Sequence, residues 1–267
     1  MAGKMDVNDE RSSLVFDFCE AIENIRPKSF VMENVKSLAA VAKFSRFKDE
    51  IINRLEDAGY RVQVIIANAK NYGVPQSRER VFFIGLRKDL YPNQLIDLSV
   101  FEKKAPTLRE LLKPMGRPGS KTNKRPCTAI ITPAKNPVLR KSPFAGMLFN
   151  GQGRAMDLDG VSNTLPASMG GNRTPIIDNA SLYMNLPQWI KGYQKHLMSG
   201  GDVLCASMMT KRLRRLTIDE AAAIQTFPAD YIWVGSDSSV FSQIGNAVPC
   251  LLAEVVARSV MKVVEEK

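Results

Sequence analysis

The 267-residue sequence predicts an α/β fold with a second, smaller and loop-rich β domain set into its C-terminal half. Two observations carry this. Between residues 11 and 87, apolar residues recur in turn at helical and at strand spacing, the order that builds a sheet layered with helices. From about Ala105 to Met209 that order gives way to Pro, Gly, Asn and short apolar runs. A formal charge of +10, with 45% hydrophobic and 24% charged residues, describes a soluble globular protein with a polyanionic partner.

Each element has its own signal. In RSSLVFDFCEAIENIRPKS, Leu14, Phe18 and Ile22 share a helical face and Pro27 ends the helix. FVMENV, from Phe30, is a short apolar run bounded by polar residues, as a buried strand requires. FSRFKDEIINRLEDAGY places Phe44, Phe47, Ile51 and Leu55 inward and stops at Gly59. RVQVIIAN and RVFFIGLR alternate as strands. After the loop-rich part, Thr217 and Glu220 stand in capping-box spacing at the start of a helix. The last stretch puts Leu251, Val255, Val256, Ser259 and Val263 on one helical face. These boundaries divide the chain into an α/β part (1–104), a loop-rich part (105–209) and a return to the α/β part (210–267).

Several classes of chemistry are disfavoured. Cys19, Cys127, Cys205 and Cys250 are scattered with no Cys-x-x-Cys pair, so neither a zinc site nor a disulfide framework is signalled. His196 is the only histidine, which argues against Ser-His and Cys-His pairs and against a histidine-rich metal site. No apolar run is long enough to span a bilayer, and no leader is recognisable. The expectation is an intracellular, reduced protein with no metal and no membrane partner.

One stretch asks for a chemical explanation. In VPQSRERVFFIGLR, Gln76, Arg78 and Arg80 occupy alternate positions just before an apolar strand, so an extended chain would turn all three the same way. A row of planar donors suits a carboxylate, a phosphate or a base edge. The same pattern also describes a solvated strand edge.

FVMENVKSL, NYGVPQSRERVFFIGLR, RRLTIDEAAAIQTFP and FSQIGNAVP, in that order, resemble the later motifs of the DNA cytosine-5 methyltransferase family across nearly the whole chain. The resemblance implies the C-terminal part of a Rossmann-like, S-adenosylmethionine-dependent domain with a target-recognition domain inserted. It implies double-stranded DNA as partner, an extruded target base, and a prokaryotic, cytoplasmic enzyme, either linked to restriction-modification or solitary. Methyl transfer to C5 of cytosine needs a nucleophile at C6, with the resulting charge met at N3 and O2. By the resemblance, Glu33 serves N3, Arg80 reaches O2 and Glu33, and Arg78, Gln76 and Asn34 position the strand and loop. Asn246, with Ala247 and Val248, matches a segment lining the cofactor pocket. Arg214 and Glu220 match a structural segment.

The basic run from Lys103 to Lys141, with Glu110 its only acid, reads as a phosphate-facing surface or as a solvated loop. In GVSNTLPASMGGNRTP, Thr164 and Leu165 match the Thr-Leu pair of family recognition domains. Gly170 and Gly171 allow close approach to a partner, and Asn172 and Arg173 are suited to base edges.

The departures from the family are specific. Its nucleophile is the cysteine of a Pro-Cys-Gln loop, and no such tripeptide occurs here; Cys127 is followed by Thr128, and Cys19 and Cys250 fall in helical patterns. The glycine-rich turn and the acid that holds the cofactor ribose are also missing. MAGKMDVNDERSSLVF resembles the segment that follows the Pro-Cys-Gln loop. The chain is therefore expected to be inactive alone, with a site only partly built for the cofactor. Three readings stay open: a fragment of a one-chain enzyme, which is favoured; the second subunit of a split enzyme whose partner chain carries the N-terminal motifs; and a non-catalytic DNA-binding protein.

Overall fold

The computed structural model describes residues 10–265, so the stretch from Met1 that resembles the post-nucleophile segment lies mostly outside the described residues. Along the chain come α1 (Glu10–Ile25), β1 (Ser29–Val35), α2 (Ser37–Ala40), α3 (Ser45–Asp57), β2 (Tyr60–Asn68), β3 (Gln76–Ser77) and β4 (Glu79–Arg87). Then follow α4 (Leu108–Leu112), β5 (Pro133–Val138), β6 (Met147–Phe149), β7 (Ser162–Asn163), β8 (Ile176–Asp178), α5 (Asn179–Met184) and α6 (Trp189–Met198). The described chain closes with β9 (Leu213–Arg215), α7 (Ile218–Ile224), α8 (Asp237–Asn246) and α9 (Cys250–Glu265). Two compact units result, one of residues 1–73, 78–104 and 251–267, the other of 74–77 and 105–250.

In the first unit a sheet runs in the order β1-β4-β2, with β4 antiparallel to both neighbours. One face of the sheet buries Phe30, Met32, Val81 and Phe83 with Ile22, Ile51 and Leu55 from α1 and α3. Strand periodicity sends the alternate residues, Glu33, Arg80 and Phe82 among them, to the opposite face. The buried stripe of α1 is Phe18, Cys19 and Ile22 with Val15, whereas Leu14 is 61% exposed. Of the expected face, Phe18 and Ile22 pack inward and Leu14 does not, Val15 taking its place. The C-terminal helix buries Val255, Val256 and Ser259 as expected, with Leu252 and Val260 in place of Leu251 and Val263.

The second unit runs past Met209 to Cys250, so the segment 210–250, expected to return to the first, packs with the loop-rich part. It is also richer in helix than its composition suggests. In α6, Ile190, Tyr193, Gln194 and Leu197 are buried at i, i+3, i+4 and i+7, a helical period that the surrounding Pro and Gly residues obscure. Its strands are only two to six residues long, so buried polar groups carry much of the order. The Arg214 guanidinium donates to both carboxylate oxygens of Glu220 at 2.6 and 2.7 Å. Glu220 also accepts from the Thr217 amide at 3.0 Å, which completes the capping box of α7, and from Asn123 Nδ2 at 3.0 Å. Asn123 Oδ1 in turn accepts from Thr217 Oγ1 at 2.7 Å. The sole histidine serves structure here, its Nε2 lying 3.0 Å from the Asp202 carbonyl just past α6.

Because both Arg214 and Glu220 are buried, Glu220→Gln strands a cation and is expected to cost about 3–5 kcal/mol in urea unfolding. Replacing both by methionine is expected to cost less than the single change. Equal losses would show that the pair contributes packing alone.

Candidate active site

The register of β1 against β4 builds the site. Glu33 lies opposite Phe82 and Val35 opposite Arg80, so Glu33 and Arg80 are diagonal neighbours on one face. That separation is about 7–8 Å between backbones and is bridged only by long side chains. Arg80 Nε donates to Glu33 Oε1 at 2.8 Å, and Arg80 Nη1 to the Glu79 carbonyl at 2.8 Å. The neighbouring strand ends are tied by Lys36 Nζ, which donates to both Glu79 carboxylate oxygens at 2.9 and 3.0 Å. Asn34 caps the end of β1, its Oδ1 accepting from the Val35 amide at 2.8 Å.

Burial raises the Glu33 carboxyl above its ordinary value, against the pull of Arg80 and Arg78. Arg78 is 1% exposed, and burial, helped by Arg80 and opposed by Glu33, brings its guanidinium down to about 10. Burial likewise lowers Arg80, with Glu33 opposing. The three groups thus form one coupled cluster in which a proton on Glu33 is favoured more than in water.

Gln76 does not extend this row. β3 ends at Ser77 and β4 begins at Glu79, so the alternate positions do not lie on one continuous strand. The Gln76 amide is fully buried and belongs to the second unit: its Oε1 accepts from the Leu165 amide at 3.1 Å, and its Nε2 donates to Gln225 Oε1 at 3.2 Å. Gln225 Nε2 donates in turn to the Ile244 carbonyl at 2.7 Å, and the Gln225 carbonyl accepts from the Cys250 amide at 3.1 Å. Gln225 was not singled out from the sequence. It stands just past the end of α7, between Ile224 and Phe227, where nothing in the sequence marks it as buried.

The Gln225 bonds fix the Asn246–Val248 turn, in which Asn246 is exposed and Ala247 and Val248 are half-buried. Gly245 lets α8 approach the Thr164–Leu165 loop, since a Cβ there would lie 2.5 Å from the Pro166 carbonyl carbon. Thr164 is exposed and donates from Oγ1 to the Ser77 carbonyl at 2.8 Å. Leu165, 1% exposed, fills the core of the second unit. Its side chain supports the Thr164–Leu165 loop from below. Gly170 and Gly171 have φ of 135° and 51°, and the exposed Asn172 and Arg173 follow in a 3-10 turn. In the basic run, Arg109 pairs with Asp159, Arg125 with Asp237, and Arg117 lies over the Tyr183 ring. Lys121, Lys124, Lys135, Arg140 and Lys141 are exposed.

Cys19 is fully buried in α1 and burial raises its thiol, as it does that of Cys250. Neither is placed or tuned as a nucleophile. Among the described residues no His/Cys/Asp/Glu group has metal-binding geometry, and no helix is long and apolar enough to cross a membrane.

Fold and site together describe an α/β domain that holds a carboxyl and two arginines at the end of a sheet. The sequence matches the C-5 cytosine-specific DNA methylase family over residues 1–262, and the chain belongs to that family. It is 29% identical to the type II methyltransferase M.MthTI of Methanothermobacter thermautotrophicus, over 99% of this chain and 76% of that protein. With M.DdeI of Desulfomicrobium norvegicum the identity is 30%, over 97% and 69%. Two solved structures share the fold. The Entamoeba histolytica methyltransferase EhMeth has a TM-score of 0.61 at 19% identity, covering 96% of this chain and 70% of that one. The S. pombe Dnmt2 methyltransferase has 0.63 at 14%, covering 98% and 76%. Membership implies a methyl donor of the S-adenosylmethionine type and a DNA substrate.

The raised Glu33 carboxyl has a consequence for stability. Unfolding returns it to about its ordinary 4.5, so the fold is penalised as pH climbs from that value through the higher folded one, and fully above it. Glu33→Gln is therefore expected to leave the melting temperature near pH 4 almost unchanged and to raise it at pH 8. A loss at pH 8 would mean that the Arg80 ion pair outweighs burial.

Proposed function

We propose that this chain supplies the cytosine-activating and DNA-reading surfaces of a DNA cytosine-5 methyltransferase. We propose too that it transfers no methyl group alone, for want of a Pro-Cys-Gln nucleophile loop in its sequence. The observation that carries the reading is the Glu33–Arg80 pair, 2.8 Å apart, in which burial raises the carboxyl above its ordinary value.

In this reading the target cytosine is turned out of the duplex. A thiolate supplied by another segment adds at C6, and the electron pair displaced from the C5–C6 bond loads C5, N3 and O2. Protonated Glu33 donates to N3, while Arg80 serves O2 with the nitrogen left over from Glu33 and the Glu79 carbonyl. Arg78 holds the local potential positive, which favours the developing anion. When bound, S-adenosylmethionine supplies the electrophilic methyl group. The exposed amide of Asn246 and the half-buried Ala247 and Val248 fit one wall of a polar, amino-acid-bearing ligand. No glycine turn or ribose-holding acid occurs in the sequence to complete the site.

The exposed lysines of the basic run serve phosphates, and Thr164 and the Gly170–Arg173 turn serve base edges. Among the described residues β1 pairs on one edge only, which leaves an edge to which strands of a complementing polypeptide can add. That polypeptide is the missing part of the same enzyme in the favoured fragment reading, and a partner subunit in the other. A purely DNA-binding role is disfavoured by the intact Glu33–Arg80 pair, for which such a protein has no use.

Single-turnover assays with labelled methyl donor and duplex DNA test this. The purified chain is expected to give no transfer. Adding a polypeptide with the Pro-Cys-Gln loop and glycine turn of a relative is expected to restore it, and Glu33→Gln to reduce the restored rate roughly 10²–10⁴-fold. Transfer by the chain alone would refute the proposal.

A further inference from the structure

We infer that Arg215 is a positioning residue that fixes the turn bearing Asn172 and Arg173, and so decides which base edges that turn reads. The inference rests on the DNA-reading role proposed above for the second unit. Arg215 is 5% exposed, yet no Asp or Glu among the described residues pairs with it. Its guanidinium is met by main-chain oxygens instead. Nη1 donates to the Thr174 carbonyl at 2.8 Å and Nη2 to the Asn150 carbonyl at 3.2 Å. Thr174 closes the Gly171–Arg173 turn, and Asn150 opens the neighbouring Asn150–Gln152 turn. One planar fork therefore ties two loops at a fixed spacing, which a flexible ammonium does not do.

Two glycines make room for the clamp. A Cβ at Gly153 would lie 2.0 Å from Arg215 Nη1 and 2.5 Å from the Thr174 carbonyl oxygen. A Cβ at Gly151, where φ is 81°, would lie 2.1 Å from the Asn172 Cβ, so the two loops meet at the residue whose orientation is at stake. The base of the clamp is anchored, because Arg215 pairs with Ile176 in the β8–β9 ladder and the Leu216 amide donates to the Pro175 carbonyl at 2.8 Å.

A buried cation without a counter-charge is costly to a fold, and burial indeed lowers the Arg215 pKa. A neutral residue would pack the same space at less cost. What it would not do is hold two carbonyls of separate loops in one plane while Asn172 and Arg173 stay exposed at the tip.

The test uses the full chain and a pool of randomised duplexes. Melting temperatures and amide hydrogen exchange are measured on the parent, Arg215→Gln, Arg215→Lys and Asn172→Ala. The parent is expected to enrich a motif. Both Arg215 variants are expected to bind unselected duplex like the parent but to lose about tenfold in preference at the positions that Asn172→Ala also flattens. Amides 171–174 are expected to exchange faster in the Arg215 variants, with those of α8 unchanged. If Arg215→Gln does not fold, Arg215→Lys carries the comparison. Parent-like base preference in a folded Arg215 variant would overturn the inference and leave the DNA-reading role standing. Failure of the parent to bind duplex or enrich a motif would overturn both.

Discussion

The Glu33–Arg80 pair exists because β4 is inserted antiparallel between β1 and β2. A strand that ran the other way would carry Arg80 to the far end of the sheet. A register shifted by one residue would turn Glu33 into the face packed by α1 and α3, where Met32 and Phe30 now sit. The register is held by that apolar face, through Val81 and Phe83 from β4 and Ile51 and Leu55 from α3. Core packing on one side of the sheet thus sets the chemistry on the other. The charge cluster does not set it, since burial works against the charged forms of Arg78, Arg80 and Glu33 and the attraction of Glu33 to the two arginines only opposes that effect.

The second unit solves a different problem. Its ladders are too short to define loop positions, so single buried side chains do it by satisfying main-chain groups of several segments at once. Gln225 gathers the Gln76 side chain, the end of α8 and the start of α9. Asp178 accepts from the amides of Ser181 and Trp189 and from Arg212. Arg215 joins two loops. Each hub leaves a loop tip exposed while fixing its base, an arrangement suited to presenting side chains to a large ligand.

Much of the first unit was legible in the sequence, because periodicity reports burial directly where helices and strands are regular. Glu33 and Arg80 were legible through the resemblance of their motifs, and the two side chains do meet. Phe18 and Ile22 face inward as expected, but Val15 replaces Leu14 in the α1 stripe because both are apolar and only packing distinguishes them. Gln76 looks like a continuation of the arginine row because alternation cannot reveal that a strand breaks at Arg78. The burial of Leu165 is not legible either, because a motif carries no information on which way a side chain points. The helix α6 and the hubs Gln225 and Arg215 were not legible at all. A buried polar residue looks like a surface one until its partners, distant in sequence, are placed beside it.

The most direct measurement is the pKa of Glu33, by carbon-13 NMR titration of the side-chain carboxyl in the full chain and in Arg80→Met. A value above the ordinary 4.5 is expected in the parent and a higher one still in the variant, where the main opposing cation is gone. A parent value at or below 4.5, or a fall on removing Arg80, would mean that Glu33 is a plain ion-pair partner and not a carboxyl held ready to protonate a base.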